Sequence, residues 1–474
     1  MNGARRVARR FSRAAALALV CCLVLLAAPR TQAATGTAGP HTPRTPIKHF
    51  VFLFQENHTF DNYFGTRGGE VDGIPAGTCM PVAPGHPEPC VKPHWIGDDP
   101  IVDLGHTQTQ FDREYNGGKM DGFVKANSDN GRDGSVAMGH YDERDLPYYW
   151  NLADNYVLYD RFFSSAKAGS VSNHMFAVTG SAGVTGKTER IPEGGWGDLP
   201  TIFDRLEKAG VSWKFYIENY DPTINYKTRD RVELVDRAAQ VIWAPVLAYQ
   251  RFVEDPELNK HIVDLDQYYT DVQNGTLPAV SYVVPSGDSE HPPGRIQAGQ
   301  RLVRALVNQL MLSRLWGSSA FMWTYDDWGG WYDHVKPPVV DKWGYGFRVP
   351  ALMVSAWNKK GYVDHDTSDF TSILKFIETN WNLEPLTARD RNANDLMESF
   401  DFTMPRPRPA VILGTERHLP PPERPDTAPV YLAYGGAALV TLSLVMLARA
   451  RTAKLGTHPR ALPTDALIGG GERS

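Results

Sequence analysis

The sequence predicts an α/β protein built on a mostly parallel central sheet, and three observations lead there. Apolar runs of strand length end abruptly in polar residues: 47–54 in Gln55-Glu56-Asn57, 280–284 in a loop carrying Asp288, Glu290 and His291, and 320–325 in Asp326-Asp327. A fourth run, 349–354, precedes a loop that leads to Asp364 and His365. Helical patterns alternate with these runs over 200–209, 301–315 and 370–379. Finally, the strands read as unbroken apolar runs, the habit of strands covered by helices on both faces. In such sheets ligands bind beyond the carboxyl ends of the strands, where the polar clusters fall.

Each element has a local justification. The 200–209 helix opens with Pro200, which suits a first helical position, and stops at Gly210. A further apolar helical stretch, 175–178, follows Ala168-Gly169-Ser170-Val171-Ser172-Asn173-His174. These elements belong to one body over residues 45–403, without repeats or low-complexity blocks.

The ends of the 474-residue chain read differently. Arg5, Arg6, Arg9 and Arg10 precede an apolar run over 14–28, and Ala33 and Ala34 follow. That order marks residues 1–34 as a secretory signal, too short in its apolar part for an anchor. Arg9-Arg10-Phe11 also permits twin-arginine export. Prolines 405, 407, 409, 420, 421, 422, 425 and 429 make 404–429 a stiff stalk. Residues 430–448 carry no charge and are followed by Arg449, Arg451 and Lys454. This reads as one C-terminal transmembrane helix with a cytoplasmic tail over 449–474 and the body outside the cell.

Two composition arguments agree with export. Cys21 and Cys22 lie in the signal, leaving Cys79 and Cys90, which an oxidising compartment would join in a local disulfide. A formal net charge of -5 excludes a general nucleic-acid binder.

The chemistry sits at the strand ends. Glu56, Asn57, Asp326 and Asp327 offer hard oxygen atoms for one divalent cation, which would polarise a phosphoryl oxygen. Taken singly, such acids are helix caps or solvated turns; two clusters after two separate strands argue for a joint role. A serine at the start of the 175–178 helix is first of all an N-cap. The same place offers free backbone N–H groups for a phosphate, and beside a cation its hydroxyl could attack phosphorus. His106, His291, His334 and His365 all lie in polar loops, where a histidine could bind a phosphoryl group or protonate a leaving oxygen. Pro292 and Pro293 restrain the backbone that carries His291.

These residues stand in a recognisable order. The segment 47–65, with Gln55-Glu56-Asn57-His58-Thr59-Phe60-Asp61-Asn62-Tyr63-Phe64-Gly65, closely resembles the opening motif of the phosphoesterase family of bacterial phospholipases C and acid phosphatases. Tyr115-Asn116-Gly117-Gly118-Lys119-Met120-Asp121-Gly122-Phe123, Ser289-Glu290-His291-Pro292-Pro293, Thr324-Tyr325-Asp326-Asp327-Trp328-Gly329-Gly330-Trp331-Tyr332-Asp333-His334-Val335 and Gly346-Phe347-Arg348-Val349-Pro350 follow in the family's order. The resemblance implies an alkaline-phosphatase-like α/β/α sandwich. It makes Glu56, Asn57, Asp326 and Asp327 metal ligands and Ser170 the nucleophile, with Asn173 at the substrate. His106 and His291 match phosphate-side histidines, and His334, in the Tyr-Asp-His pattern, joins them as a catalytic candidate. One departure is Ser172, where the family has proline; it offers a second hydroxyl in a different register.

The function expected is hydrolysis of a phosphate ester or phospholipid, of phospholipase C or phosphomonoesterase type, through a covalent phosphoserine. Oxygen ligands leave the metal open among calcium, magnesium, manganese, iron and zinc. Trp328, Trp331 and Trp343 could cage a quaternary ammonium headgroup or simply pack. The rival from another class is a non-catalytic surface binding protein that kept the fold.

Overall fold

The unbroken apolar runs become the middle of an eight-stranded sheet. In chain order its strands are β1 (His49–Gln55), β2 (Val157–Tyr159), β3 (Trp213–Ile217), β4 (Ile262–Asp264), β5 (Val280–Val284), β6 (Ser319–Tyr325), β7 (Ala351–Ser355) and β8 (Tyr362–Asp364). They lie side by side as β8-β2-β7-β6-β1-β5-β3-β4. All pairings are parallel except those of β7, which runs against both β6 and β2. This computed structural model describes residues 42–97, 102–184, 189–231, 235–416 and, further on, 443, 444, 446, 447 and 449.

Helices cover both faces. On one side lie α2 (Ser170–Thr179), α3 (Ile202–Ala209), α4 (Val235–Trp243) and α7 (Phe370–Trp381); on the other lie α1 (Pro147–Asn155), α5 (Asp266–Asn274) and α6 (Ile296–Met311). Strand alternation sorts the contacts. Phe50 and Phe54 of β1 meet Phe376 and Phe370 of α7, each pair with ring centres 4.7 Å apart. Leu53 and its register partner Trp323 face the opposite layer, where Trp323 meets Tyr149 of α1 at 5.2 Å. A mixed α/β fold on a large, mostly parallel sheet is therefore what the chain adopts.

Three details differ from the sequence-based expectation. The third helix begins at Ile202, not Pro200, because Thr201 caps it: Thr201 Oγ1 accepts from Asp204 N–H, and Asp204 accepts from Thr201 N–H in return. The helix expected over 301–315 starts earlier, at Ile296. The run over 349–354 forms β7 and reverses direction, so its beginning, not its end, lies at the rim where the parallel strands finish. That reversal brings Arg348 to the rim. Asp364, expected after the same run, arrives there through β8.

The expected signal over 1–34, the stalk beyond 416, most of the span over 430–448 and the tail after 449 lie outside the described residues. No helix among the described residues is long and apolar enough to cross a membrane.

Cys79 and Cys90 form a disulfide with Cα atoms 5.5 Å apart. The bond closes the hairpin of Met80–Ala83 and His86–Val91, away from the main sheet. Mass spectrometry under non-reducing conditions should find the two cysteines in one linked peptide pair. In the chain-entropy account, so short a loop contributes about 2–3 kcal/mol to the hairpin. Two freely alkylated thiols would contradict the bridge.

Candidate active site

Strand ends meet at one rim, and their next residues form a buried cluster. β1 delivers Glu56 and Asn57, β6 delivers Asp326 and Asp327, and all four are at most 1% exposed. Asn57 N–H donates to Asp326 Oδ1 at 3.0 Å, joining the two pairs. Asn57 sits in the left-handed region at φ 65°, and Gly329 closes against it: a Cβ on Gly329 would lie 2.3 Å from the Asn57 carbonyl oxygen.

Ser170 opens α2 after Gly169, at the end of the loop that leaves β2. Its hydroxyl lies 3.5 Å from Glu56 Oε2 and 3.5 Å from Asp327 Oδ2. Ser172 is fully buried and its Oγ has no hydrogen-bond partner. The structure thus puts one serine of the two against the carboxylates. A Cβ on Gly169 would lie 2.9 Å from the His106 carbonyl oxygen, so the start of α2 and the His106 loop approach as closely as glycine allows.

The charges in the cluster oppose one another. Burial, then the charge of Asp326, raises the carboxyl groups of Glu56 and Asp327 well above the ordinary carboxylate range. Burial works against charge on Asp326 too, but His174 and the Asn57 N–H hold it below that range. Burial lowers His174 to about 4, against the opposing charge of Asp326, and its Nε2 lies 2.8 Å from Glu56 Oε1 and 3.8 Å from Asp326 Oδ2. Sequence reasoning missed His174. Its signal was helical spacing, since it lies four residues after Ser170 and on the same face.

A cation fits this set. Asp326 Oδ2 and both polar side-chain atoms of Asn57 are buried without partners, and Glu56, His174 and Asp326 bring ligand atoms within 4.8 Å of one another. Three carboxylates, one amide oxygen and one imidazole make a donor set suited to a divalent ion.

His106 and His291 meet edge to face, ring centres 5.9 Å apart. Each donates Nδ1–H to a backbone carbonyl, His106 to Leu104 at 3.0 Å and His291 to Pro292 at 2.7 Å. That fixes the tautomer and leaves both Nε2 atoms for a ligand. Asp103 adds a carboxylate 3.6 Å from His106 Nδ1. Glu189, which no sequence pattern singled out, accepts from Gly169 N–H at 2.9 Å, and burial raises its carboxyl.

The remaining candidates have other places. Asn173, expected at the substrate, is buried and occupied with its own loop: it accepts from Ala166 N–H at 2.9 Å and donates to the Ala168 and Gly169 carbonyls at 2.7 and 3.2 Å. It positions Ser170. His334, expected among the catalytic histidines, meets Asp61 at 2.7 Å and Asp72 at 3.2 Å beside the fully buried Arg348. Burial lowers its pKa, but the hydrogen bond and charge of Asp61 outweigh that and raise it. His365 pairs with Asp160 at 2.9 Å. Trp328 and Trp331 are fully buried, so packing, not a headgroup cage, accounts for them.

The chain matches the model of the Phosphoesterase family over residues 47–384. It is 30% identical to phospholipase C B of Mycobacterium tuberculosis, over 84% of this chain and 86% of that protein. A non-hemolytic phospholipase C of Burkholderia pseudomallei is 28% identical over 79% and 62%, and non-specific phospholipase C3 of Arabidopsis thaliana is 26% identical over 78% and 76%. Among solved structures, an alkaline phosphatase superfamily protein from Vibrio parahaemolyticus aligns over 75% of this chain and 71% of that one, at 12% identity and a TM-score of 0.37.

The raised carboxyls make a testable statement about the cation-free chain. A carboxyl whose folded pKa exceeds its unfolded value binds protons more tightly when folded. Its stability contribution is full below the ordinary carboxylate range and is lost as pH rises toward the raised value. After chelation, thermal stability should therefore fall as pH rises above the ordinary carboxylate range toward the raised values of these groups. Asp327→Asn should flatten that fall, and a divalent cation should restore the wild type at the upper pH. Parallel melting curves for the two proteins would place the destabilising charge elsewhere.

Proposed function

This chain belongs to the phosphoesterase family and is a phosphoric ester hydrolase, and from that premise we propose that it is an exported, membrane-tethered phospholipase C acting through a phosphoserine on Ser170. The observation that carries the reading is the place of one hydroxyl. Ser170 Oγ stands at the start of α2, between two buried carboxylates and within the site that His106 and His291 flank.

A divalent cation held by Glu56, Asn57, Asp326 and Asp327, with His174 in reach, would offset charge on the phosphoryl oxygens and lower the pKa of a nearby hydroxyl. The chain's own groups supply the rest. Ser170 Oγ attacks phosphorus while its proton passes to the Glu56 or Asp327 carboxylate, each 3.5 Å away. The P–O bond to the leaving group breaks, and Nε2–H of a protonated His106 or His291 donates to the departing oxygen. The same ring, now neutral, takes a proton from the water that attacks phosphorus; the Ser170 Oγ–P bond breaks, the Glu56 or Asp327 carboxyl returns its proton to Oγ, and phosphate ester or phosphate leaves. N–H groups at the start of α2 face the phosphoryl oxygens throughout.

The names of the relatives favour a lipid substrate over a soluble monoester. Tethering rests on the uncharged stretch over 430–448 and the basic residues after it. If the body is outside, protease added to intact cells should remove it; a body protected until lysis would overturn the tether and its orientation.

Ser170→Ala should lower turnover by several powers of ten (nucleophile deletions reach about 10⁶), while Ser172→Ala changes it little. Acid quench of the wild type with phosphate-labelled substrate should trap label on the peptide containing Ser170. Label on Ser172, or near-normal turnover in Ser170→Ala, would defeat the mechanism. Hydrolysis tested on phospholipids and soluble esters, with and without chelator, decides the substrate class.

A further inference from the structure

The residues immediately before Glu56, Asp326 and His291 converge behind the site. Gln55 ends β1 and Tyr325 ends β6, and the two are register partners. Strand alternation turns their side chains away from the carboxylate cluster, toward the layer of α1. Between them lies the carboxylate of Glu290, which is 1% exposed. Its Oε1 accepts from the Tyr149 hydroxyl at 2.5 Å and the Gln55 amide at 3.3 Å. Its Oε2 accepts from the Tyr325 hydroxyl at 2.8 Å and from the Tyr63 hydroxyl.

A carboxylate has about four lone-pair sites, and here four donors on four elements fill them. All four donors are neutral. The backbone at Glu290 is held in the left-handed region at φ 65°, and its carbonyl lies 3.2 Å from His58 Nε2. The preceding carbonyl, of Ser289, accepts from Glu56 N–H at 3.0 Å. One side chain therefore ties together the ends of β1 and β6, the helix residue Tyr149 and the loop bearing His291.

Fold stability gives little reason for a charge there. A buried carboxylate without a cation is costly, and apolar side chains would fill the space at lower cost. Positioning gives a reason, because each strand end it holds presents a functional residue one position later.

We propose that Glu290 is a positioning residue, resting on the reading above, whose ionised carboxylate sets the spacing of Glu56, Asp326 and His291 from behind the sheet. Protonation would weaken the clamp, since a neutral carboxyl is a poorer acceptor for three phenols. Burial lifts this group to about 7; hydrogen bonds from Tyr149, Tyr63 and Tyr325 pull it down and the charge of Asp288 pushes it up. His58, lowered by burial to about 4, faces it as a neutral ring. Removing one phenol removes a donor to the charged form and so raises the pKa further.

The test uses the full-length chain, a chromogenic nitrophenyl phosphodiester, and Glu290→Gln beside Tyr149→Phe. Glu290→Gln should lose about 10–100-fold in kcat, the usual scale for a residue that orients ligands, with KM and melting temperature close to wild type. Tyr149→Phe should lose less, and the acid limb of its kcat profile should move to higher pH. Wild-type kcat in both variants would overturn the proposal. So would a Tyr149→Phe loss that tracks its folded fraction while the acid limb stays in place. If Glu290→Gln does not fold, the limb of Tyr149→Phe decides alone. A wild type without chelator-sensitive turnover would refute the functional reading and this inference with it; an active wild type with indifferent variants would refute only the role of Glu290.

Discussion

Three carboxylates face one another in a buried pocket at the rim of a sheet, and much of the surrounding structure answers that constraint. Glu56, Asp326 and Asp327 repel, and burial removes the water that would screen them. Without a cation the pocket keeps protons on Glu56 and Asp327, above their ordinary range. Such an arrangement stores unfavourable energy in the folded chain, so it needs rigid supports to keep the groups from moving apart.

The supports come from outside the cluster. Asn173 spends its amide on the loop before α2 and so fixes where Ser170 begins the helix. Glu114 accepts from Trp328 Nε1–H at 2.6 Å and from Asn127 at 3.1 Å, while Asn127 accepts from Gly105 N–H at 3.2 Å. This chain of bonds connects the turn after Asp327 to the residue before His106. Arg348 bridges Asp61 and Asp333 at 2.9 Å each, so one positive charge partly offsets two acids that would otherwise add to the repulsion at the rim. Breaking a buried pair of this kind typically costs about 3–5 kcal/mol, because the partner charge is left unpaired.

The legibility of these features in sequence follows from their range. Glu56, Asn57, Asp326 and Asp327 were readable because each pair follows an apolar run directly, and a parallel sheet sends all such ends to one rim. Ser170 was readable as a helix start, and the family's register preferred it to Ser172; in the fold, Ser172 is the buried hydroxyl and Ser170 the one that faces the acids. Glu189 and Glu114 were not readable, since their partners are separated by loops whose path no local pattern fixes. The direction of β7 was hidden for a similar reason: a short apolar run reads the same forwards and backwards. That reversal is what places Arg348, rather than Ser355, at the rim.

Glu56 and Glu290 are both buried glutamates packed at the ends of β1 and β6, and the donors around them explain their different behaviour. Glu290 faces three hydroxyls and an amide, so its lone pairs are saturated and its geometry is determined by the protein alone. Glu56 faces His174, a serine hydroxyl at 3.5 Å and other acids, so it has too few donors and too much negative charge around it. A saturated carboxylate is a fixed point; an unsaturated one among acids is an open demand for positive charge. Strand alternation along β1 sends Gln55 toward Glu290 on one face and the next residue, Glu56, to the other. Rigidity behind the sheet and reactivity in front of it thus arise from the same two strand ends and the loop that carries His291.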